Sequence, residues 1–219
     1  MPRAVRKLSP KKAIYVFWEG ESEEAYMKYI RREFTSKAVL ALHREKGLFA
    51  TAGAFYRGNQ RFRSDLPELD EIWFFFDTEI EKGSSWDDNM RFLEGILRTR
   101  KQNPIKIRLL MTTCCVEYWF LLHYKKQAPA LASPADKEKM LKELQKFVPT
   151  YQKGNCAATA TIAENYPTAI ENGQWTLECL KDDGMPEGDK ERDPWLYKGT
   201  HTFTTVHEAI EMLVQLPKL

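Results

Sequence analysis

The chain has 219 residues, 43% of them hydrophobic, enough for one α/β domain or a domain with an appendage, and too apolar for a disordered protein. Its 33 basic and 31 acidic side chains leave a formal net charge of +2, which neither demands nor excludes a nucleic-acid partner. No apolar run approaches the roughly 18 residues of a membrane span, and the basic opening segment leads into a short apolar run, so a cytoplasmic, soluble protein without a secretory leader is expected.

Residues 13–18 (AIYVFW) form a continuous apolar run, as expected of a strand buried on both faces. Ser22 follows as an expected helix N-cap, with Glu23 and Glu24 in a first turn that favours negative charge. Tyr26, Tyr29, Ile30 and Phe34 recur at helical spacing and define that helix's buried face. Residues 37–43 read as a second strand, and 47–66 are ambiguous because Gly53 and Gly58 weaken a helix there. Residues 69–76 are a strong aromatic strand. Asp87 or Asp88 caps an expected helix bearing Met90, Leu93, Ile96 and Leu97, stopped at Asn103-Pro104. Ile105, Ile107, Leu109 and Met111 alternate as a strand with one partly polar face.

Alternation of strands and helices predicts a mostly parallel sheet with helices on both faces. Beyond it, residues 116–124 read as a very apolar helix lying against the sheet and 136–147 as an amphipathic one. Residues 155–166 are rich in Ala and Thr, which permits close helix packing, and 181–193 form a loop dense in Asp, Gly and Pro. Thr205 and Glu208 fit the capping box of a final helix over 206–215. The chain divides into an α/β core over 1–127 and a C-terminal helical part over 128–219 packed on it. The four cysteines make no C-x-x-C pair, which argues against a zinc ribbon, and adjacent Cys114 and Cys115 read as reduced core thiols.

Two of the strand ends carry the chemistry. The first runs into Glu19-Gly20-Glu21-Ser22-Glu23-Glu24 and the aromatic one into Asp77-Thr78-Glu79. Ligands of open parallel sheets bind outside the carboxyl ends of the strands. Side chains two apart point the same way on an extended strand, so Asp77 and Glu79 share a face that Glu19 can join. Hard oxygens gathered there suit Mg²⁺ or Mn²⁺, ions that serve phosphate substrates. In this reading Glu19, Asp77 and Glu79 are metal ligands, and Glu19 also moves the proton. Gly20 admits close backbone approach to a phosphate at a helix N-terminus. The blander alternative leaves Glu23 and Glu24 as surface residues favoured by the helix dipole.

Glu117 in so apolar a helix calls for a partner, Lys153 or an arginine, or for a place in the crevice. Lys153, in a glycine-containing loop, is either a solvated charge or one that stabilises a phosphorane-like transition state. His123 reads as structural rather than as a base. Arg57, Arg61 and Arg63, interleaved with Phe55, Tyr56 and Phe62, suit phosphate contact with base stacking and are the expected substrate-binding loop. The group from Arg98 to Arg108 fits a solvated face equally well.

The segments IYVFWEGESEEAYMKY (14–29) and TTCCVEYWFLLHY (112–124) resemble the RloB family, whose fold is similar to the Toprim domain. Toprim domains place a glutamate after their first strand and a D-x-D-type pair after a later one, positions matched here by Glu19 and by Asp77 with Glu79. The resemblance also picks out Glu117, Trp119 and His123, Tyr151 and Lys153 in YQKG, and the closing TTVHEAIEML segment. Two departures stand out: Glu79 where Asp is commoner, and Thr112-Thr113-Cys114-Cys115 where an Asn-Pro-like turn is commoner.

The resemblance implies a Toprim-like (Rossmann-like) α/β core with a C-terminal helical extension, and a metal-dependent nuclease acting on RNA, such as tRNA, ahead of DNA. Glu19, Glu23, Glu117 and Lys153 would be its catalytic and supporting groups. It further implies an effector role in bacterial antiviral defence through abortive infection, beside an ABC- or AAA-type ATPase, with oligomer formation allowed. The alternative is a non-catalytic partner subunit of that ATPase.

Overall fold

The computed structural model describes residues 11–43, 48–49, 52–53, 69–78, 86–88, 91 and 105–218. Strands β1 (Lys12–Trp18), β2 (Ala38–Leu42), β3 (Glu71–Thr78) and β4 (Lys106–Thr113) form an all-parallel sheet in the order β2-β1-β3-β4. Helices flank it, so the fold is α/β and consistent with a Rossmann-like one. The two most continuously apolar runs, β1 and β3, are the central pair, where both faces must be covered. Alternate side chains sort into two cores: Ile14, Val16, Trp73 and Phe75 on one face, Phe17, Ile72, Phe74 and Phe76 on the other.

Helix α1 (Glu21–Glu33) carries the predicted apolar face and returns the chain to β2. Its N-cap is Gly20, not Ser22, which lies inside the first turn and bonds elsewhere. Helix α2 (Val116–Leu121) packs on β4 and is wholly buried; it ends earlier than its apolar run because residues 122–124 close in tight turns.

In the C-terminal part, α3 (Ala135–Phe147) follows its amphipathic pattern. The Ala- and Thr-rich segment gives α4 (Cys156–Ala163), capped by Asn155, whose side chain accepts from the N–H groups of Ala157 and Ala158. It packs on α1, the close approach that small side chains allow. A separate helix, α5 (Tyr166–Glu178), covers a segment to which the sequence reading assigned no element. Its interior Asn172 donates through its side chain to the Leu122 carbonyl at 2.7 Å. The Asp- and Pro-dense loop ends sooner than expected: α6 (Asp189–Lys198) includes Pro194.

Helix α7 (Val206–Gln215) begins where predicted, but not through a capping box. Thr205 Oγ1 donates to the Leu109 carbonyl at 2.6 Å and accepts from the Met111 N–H at 2.8 Å, while Glu208 pairs with Arg192 at 2.6 Å. With the Thr112–Thr204 bridge and the Thr113 N–H bond to Phe203, these contacts cover the outer edge of β4. Among the described residues, no helix is long and apolar enough to cross a membrane.

Candidate active site at the carboxyl ends of the strands

Glu19 directly follows β1, and its backbone N–H extends the ladder to the Phe75 carbonyl at 3.2 Å. That link brings its side chain across to the neighbouring strand end, where Glu19 Oε2 accepts the backbone N–H of Asp77 at 3.2 Å. Glu23 lies in the first turn of α1 with 3% of its surface exposed, and Glu117 lies in the first turn of α2 with 1% exposed. Two helix N-termini therefore each present a carboxylate to the end of the sheet, the sign their dipoles favour.

The four carboxylates sense one another. Burial and then the charges of Glu23, Glu19 and Glu117 push the Asp77 carboxyl well above its usual range, with Lys137 opposing them. Burial likewise raises Glu23 to about 7, assisted by the charges of Glu19 and Glu117 and opposed by a backbone hydrogen bond and Lys153. Asp77 Oδ1 is buried without a hydrogen-bond partner among the described residues, a costly state for a carboxylate oxygen unless a proton or cation meets it.

Glu117 has the partner that its sequence environment demanded. Tyr151 donates to its Oε1 at 3.0 Å, and Lys153 Nζ stands 3.8 Å from the same oxygen with its side chain 62% exposed. Both arrive on one loop, whose turn at Gly154 has φ 75, a left-handed conformation that glycine adopts without cost. A Cβ there would lie 3.0 Å from Glu21 Oε2, so the loop is pressed onto the first turn of α1.

The structure thus brings together Glu19, Glu23, Asp77, Glu117 and Lys153. Glu79, Arg57, Arg61 and Arg63 lie outside the described residues. His123 is a buried structural residue: its Nδ1 donates to the Trp119 carbonyl at 3.0 Å, leaving Nε2 to accept from Tyr26 at 3.2 Å. Burial drives its pKa to about 3, so it stays neutral rather than serving as a helix-end cation. Cys114 and Cys115 are buried free thiols, as expected, and Cys114 takes φ 71 at the turn into α2.

Sequence reading missed two contributors. Ser22 was assigned a capping role, although it connects Tyr151 with Gly154. Lys137, whose charge is felt by Asp77, is one of several lysines on an amphipathic helix and carries no local signal.

The oxygen-only donors Glu19, Glu23, Asp77 and Glu117 suit a hard divalent cation, and the orphaned Asp77 oxygen marks where its charge would be felt. Among the described residues, no three His, Cys, Asp or Glu side chains stand as a ready-made ligand set.

No curated protein and no solved structure gives a significant match to the chain. A family model described as RloB-like protein matches residues 14–213, a span that runs from within β1 to within α7 and includes every carboxylate of the cluster. The chain belongs to the RloB-like protein family.

Proposed function

We propose that this protein is a metal-dependent, Toprim-like nuclease that hydrolyses phosphodiester bonds, with RNA such as tRNA as substrate ahead of DNA. The observation that carries the reading is the Asp77 carboxyl: buried, with one oxygen that has no partner among the described residues, and surrounded by the charges of Glu19, Glu23 and Glu117. Such repulsion is relieved by a cation, and Glu19 with Asp77 would hold Mg²⁺ or Mn²⁺. The ion would supply charge neutralisation at the phosphate and a more acidic water. Membership of the RloB-like family supports an effector role in anti-phage defence, beside a partner ATPase.

Glu23, with a pKa of about 7, is better suited than Glu19 to give or take the proton, because a group that titrates near the working pH serves both directions. Lys153 has an exposed head beside the buried carboxylates and would meet a phosphate oxygen entering from solvent.

The test is RNA and DNA end-sequencing from phage-infected cells that express wild type, Glu19→Gln or Asp77→Asn protein, alongside phage protection. New RNA ends with wild type alone are expected. Protection that survives both substitutions at normal protein level ends the nuclease reading and leaves a binding subunit; ends that appear only in DNA change the substrate.

A further inference from the structure

A continuous hydrogen-bond chain runs from the C-terminal part of the molecule into the acidic cluster. The Gly154 N–H donates to Ser22 Oγ at 3.2 Å, and Tyr151 Oη lies 3.1 Å from the same Ser22 oxygen. Tyr151 then donates to Glu117 Oε1 at 3.0 Å. Because Tyr151 gives its only proton to Glu117, its oxygen can only accept from Ser22, so every donor points toward the carboxylate. Ser22 and Tyr151 are 129 positions apart in the chain and are respectively 4% and 0% exposed.

A buried tyrosine in this setting has two jobs that can be separated. Its ring packs edge-on against Phe120 at 5.8 Å, which is a packing contribution. Its hydroxyl has no need of Glu117 for packing. The hydroxyl and Lys153 both meet the same oxygen, Oε1 of Glu117. Burial, followed by the Glu117 charge, raises the Tyr151 pKa, so the phenol keeps its proton and remains a donor at any physiological pH.

We propose that Tyr151 is a positioning residue for the carboxylate cluster: held by Ser22, its hydroxyl fixes the Glu117 carboxylate so that one oxygen stays available to a divalent cation or a substrate group. The C-terminal part of the chain thereby supports a site whose carboxylates come from two strand ends and two helix starts. This deepens the nuclease reading and rests on it.

Tyr151→Phe keeps the ring and removes the hydroxyl, and Ser22→Ala removes the support. Mn²⁺ affinity is read by electron paramagnetic resonance on the full chain, with thermal unfolding as control. The expected result for Tyr151→Phe is Mn²⁺ binding weakened roughly tenfold, as for loss of a hydrogen bond that orients a metal-site carboxylate, with unfolding little changed. Ser22→Ala should give a smaller loss in the same direction. Unchanged Mn²⁺ affinity in Tyr151→Phe overturns the positioning role. Should wild type bind no Mn²⁺, the metal reading fails by itself, and the clasp is judged on the ¹³C carboxyl resonance of Glu117. Tyr151→Phe must then shift and broaden that resonance; an unmoved, sharp signal overturns the proposal.

Discussion

Strand β3 carries an acidic residue at each end, and the two are treated in opposite ways. At its start, Glu71 is 1% exposed yet fully met: Lys12 and Arg108 each approach to 2.6 Å and the Trp73 indole donates at 2.7 Å. Burial pushes its carboxyl up, but the hydrogen bonds from Arg108, Lys12 and Trp73 outweigh that and hold it below the usual range. At the strand's other end, Asp77 meets three further carboxylates, and its pKa is raised. The contrast teaches that burial alone does not mark a functional site. A compensated buried charge holds elements together; an uncompensated one is kept at the expense of stability, and such expense is characteristic of sites that await a ligand.

The sharpest way to break the comparison is to remove Glu71. Glu71→Gln leaves Lys12 and Arg108 facing one another without their counter-charge, and should destabilise the protein by about 3 to 5 kcal/mol, read by urea unfolding at pH 7.5. A loss below about 1 kcal/mol would mean the cluster is no more than a surface ion pair.

The next largest effect concerns pH. Glu23 has a folded-state pKa of about 7, raised from an unfolded 4.5, so its contribution to stability is full below pH 4.5 and is lost as pH rises through 7. Between pH 5 and 8 wild type should lose roughly 3 kcal/mol more than Glu23→Gln, and saturating Mg²⁺ should shrink that gap. Parallel stability–pH curves for the two proteins would show that Glu23 titrates normally. Glu71, with its pKa depressed, acts in the opposite sense: its stabilisation is present above the ordinary carboxylate range and is lost in acid.

Asp77→Asn sharpens the contrast further, because removal of a crowded charge should raise stability by about 1 kcal/mol at pH 7.5 while phage protection is lost. An Asn at this position that destabilises as much as Gln at position 71 would erase the distinction between the two ends. The smallest effect is expected at Lys153, whose head is largely exposed 3.8 Å from Glu117. Lys153→Met should change stability by less than about 0.5 kcal/mol and yet reduce cleavage, since a lysine head this exposed and 3.8 Å from its partner contributes little to folding while a charge placed at a phosphate matters to the reaction.

Much of the sheet was legible locally. The uninterrupted apolar run in β1 announced a strand buried on both faces and the aromatic run in β3 a second strong strand; the alternation in β4 announced a strand with a partly polar face, where Arg108 reaches Glu71, and the structure places β1 and β3 at the centre and β4 at the edge. Helix α5 was assigned no element from sequence, and the bond of its Asn172 side chain to the Leu122 carbonyl is a tertiary contact that no local pattern announces. Thr205 shows a tertiary override: a residue with capping chemistry instead bonds the outer edge of β4 and helps to cover it. Glu19 and Asp77 could be proposed from their strand-end siting, and the structure links them through a hydrogen bond. Glu23 could not be separated from Glu24 by sequence, since both stand in the first turn of α1 and only the helix's orientation buries the former.

The sequence by itself determined the four strands of the sheet, the helix that follows the first of them and the positions of the acidic strand ends, because period and apolarity act over a few neighbouring residues. Only the tertiary structure decided which carboxylates are compensated, which one titrates near neutrality and how Ser22, Tyr151 and Lys153 reach Glu117. Protonation and hydrogen-bond direction depend on burial and on charges from distant segments, and those are set when the C-terminal part packs against the sheet.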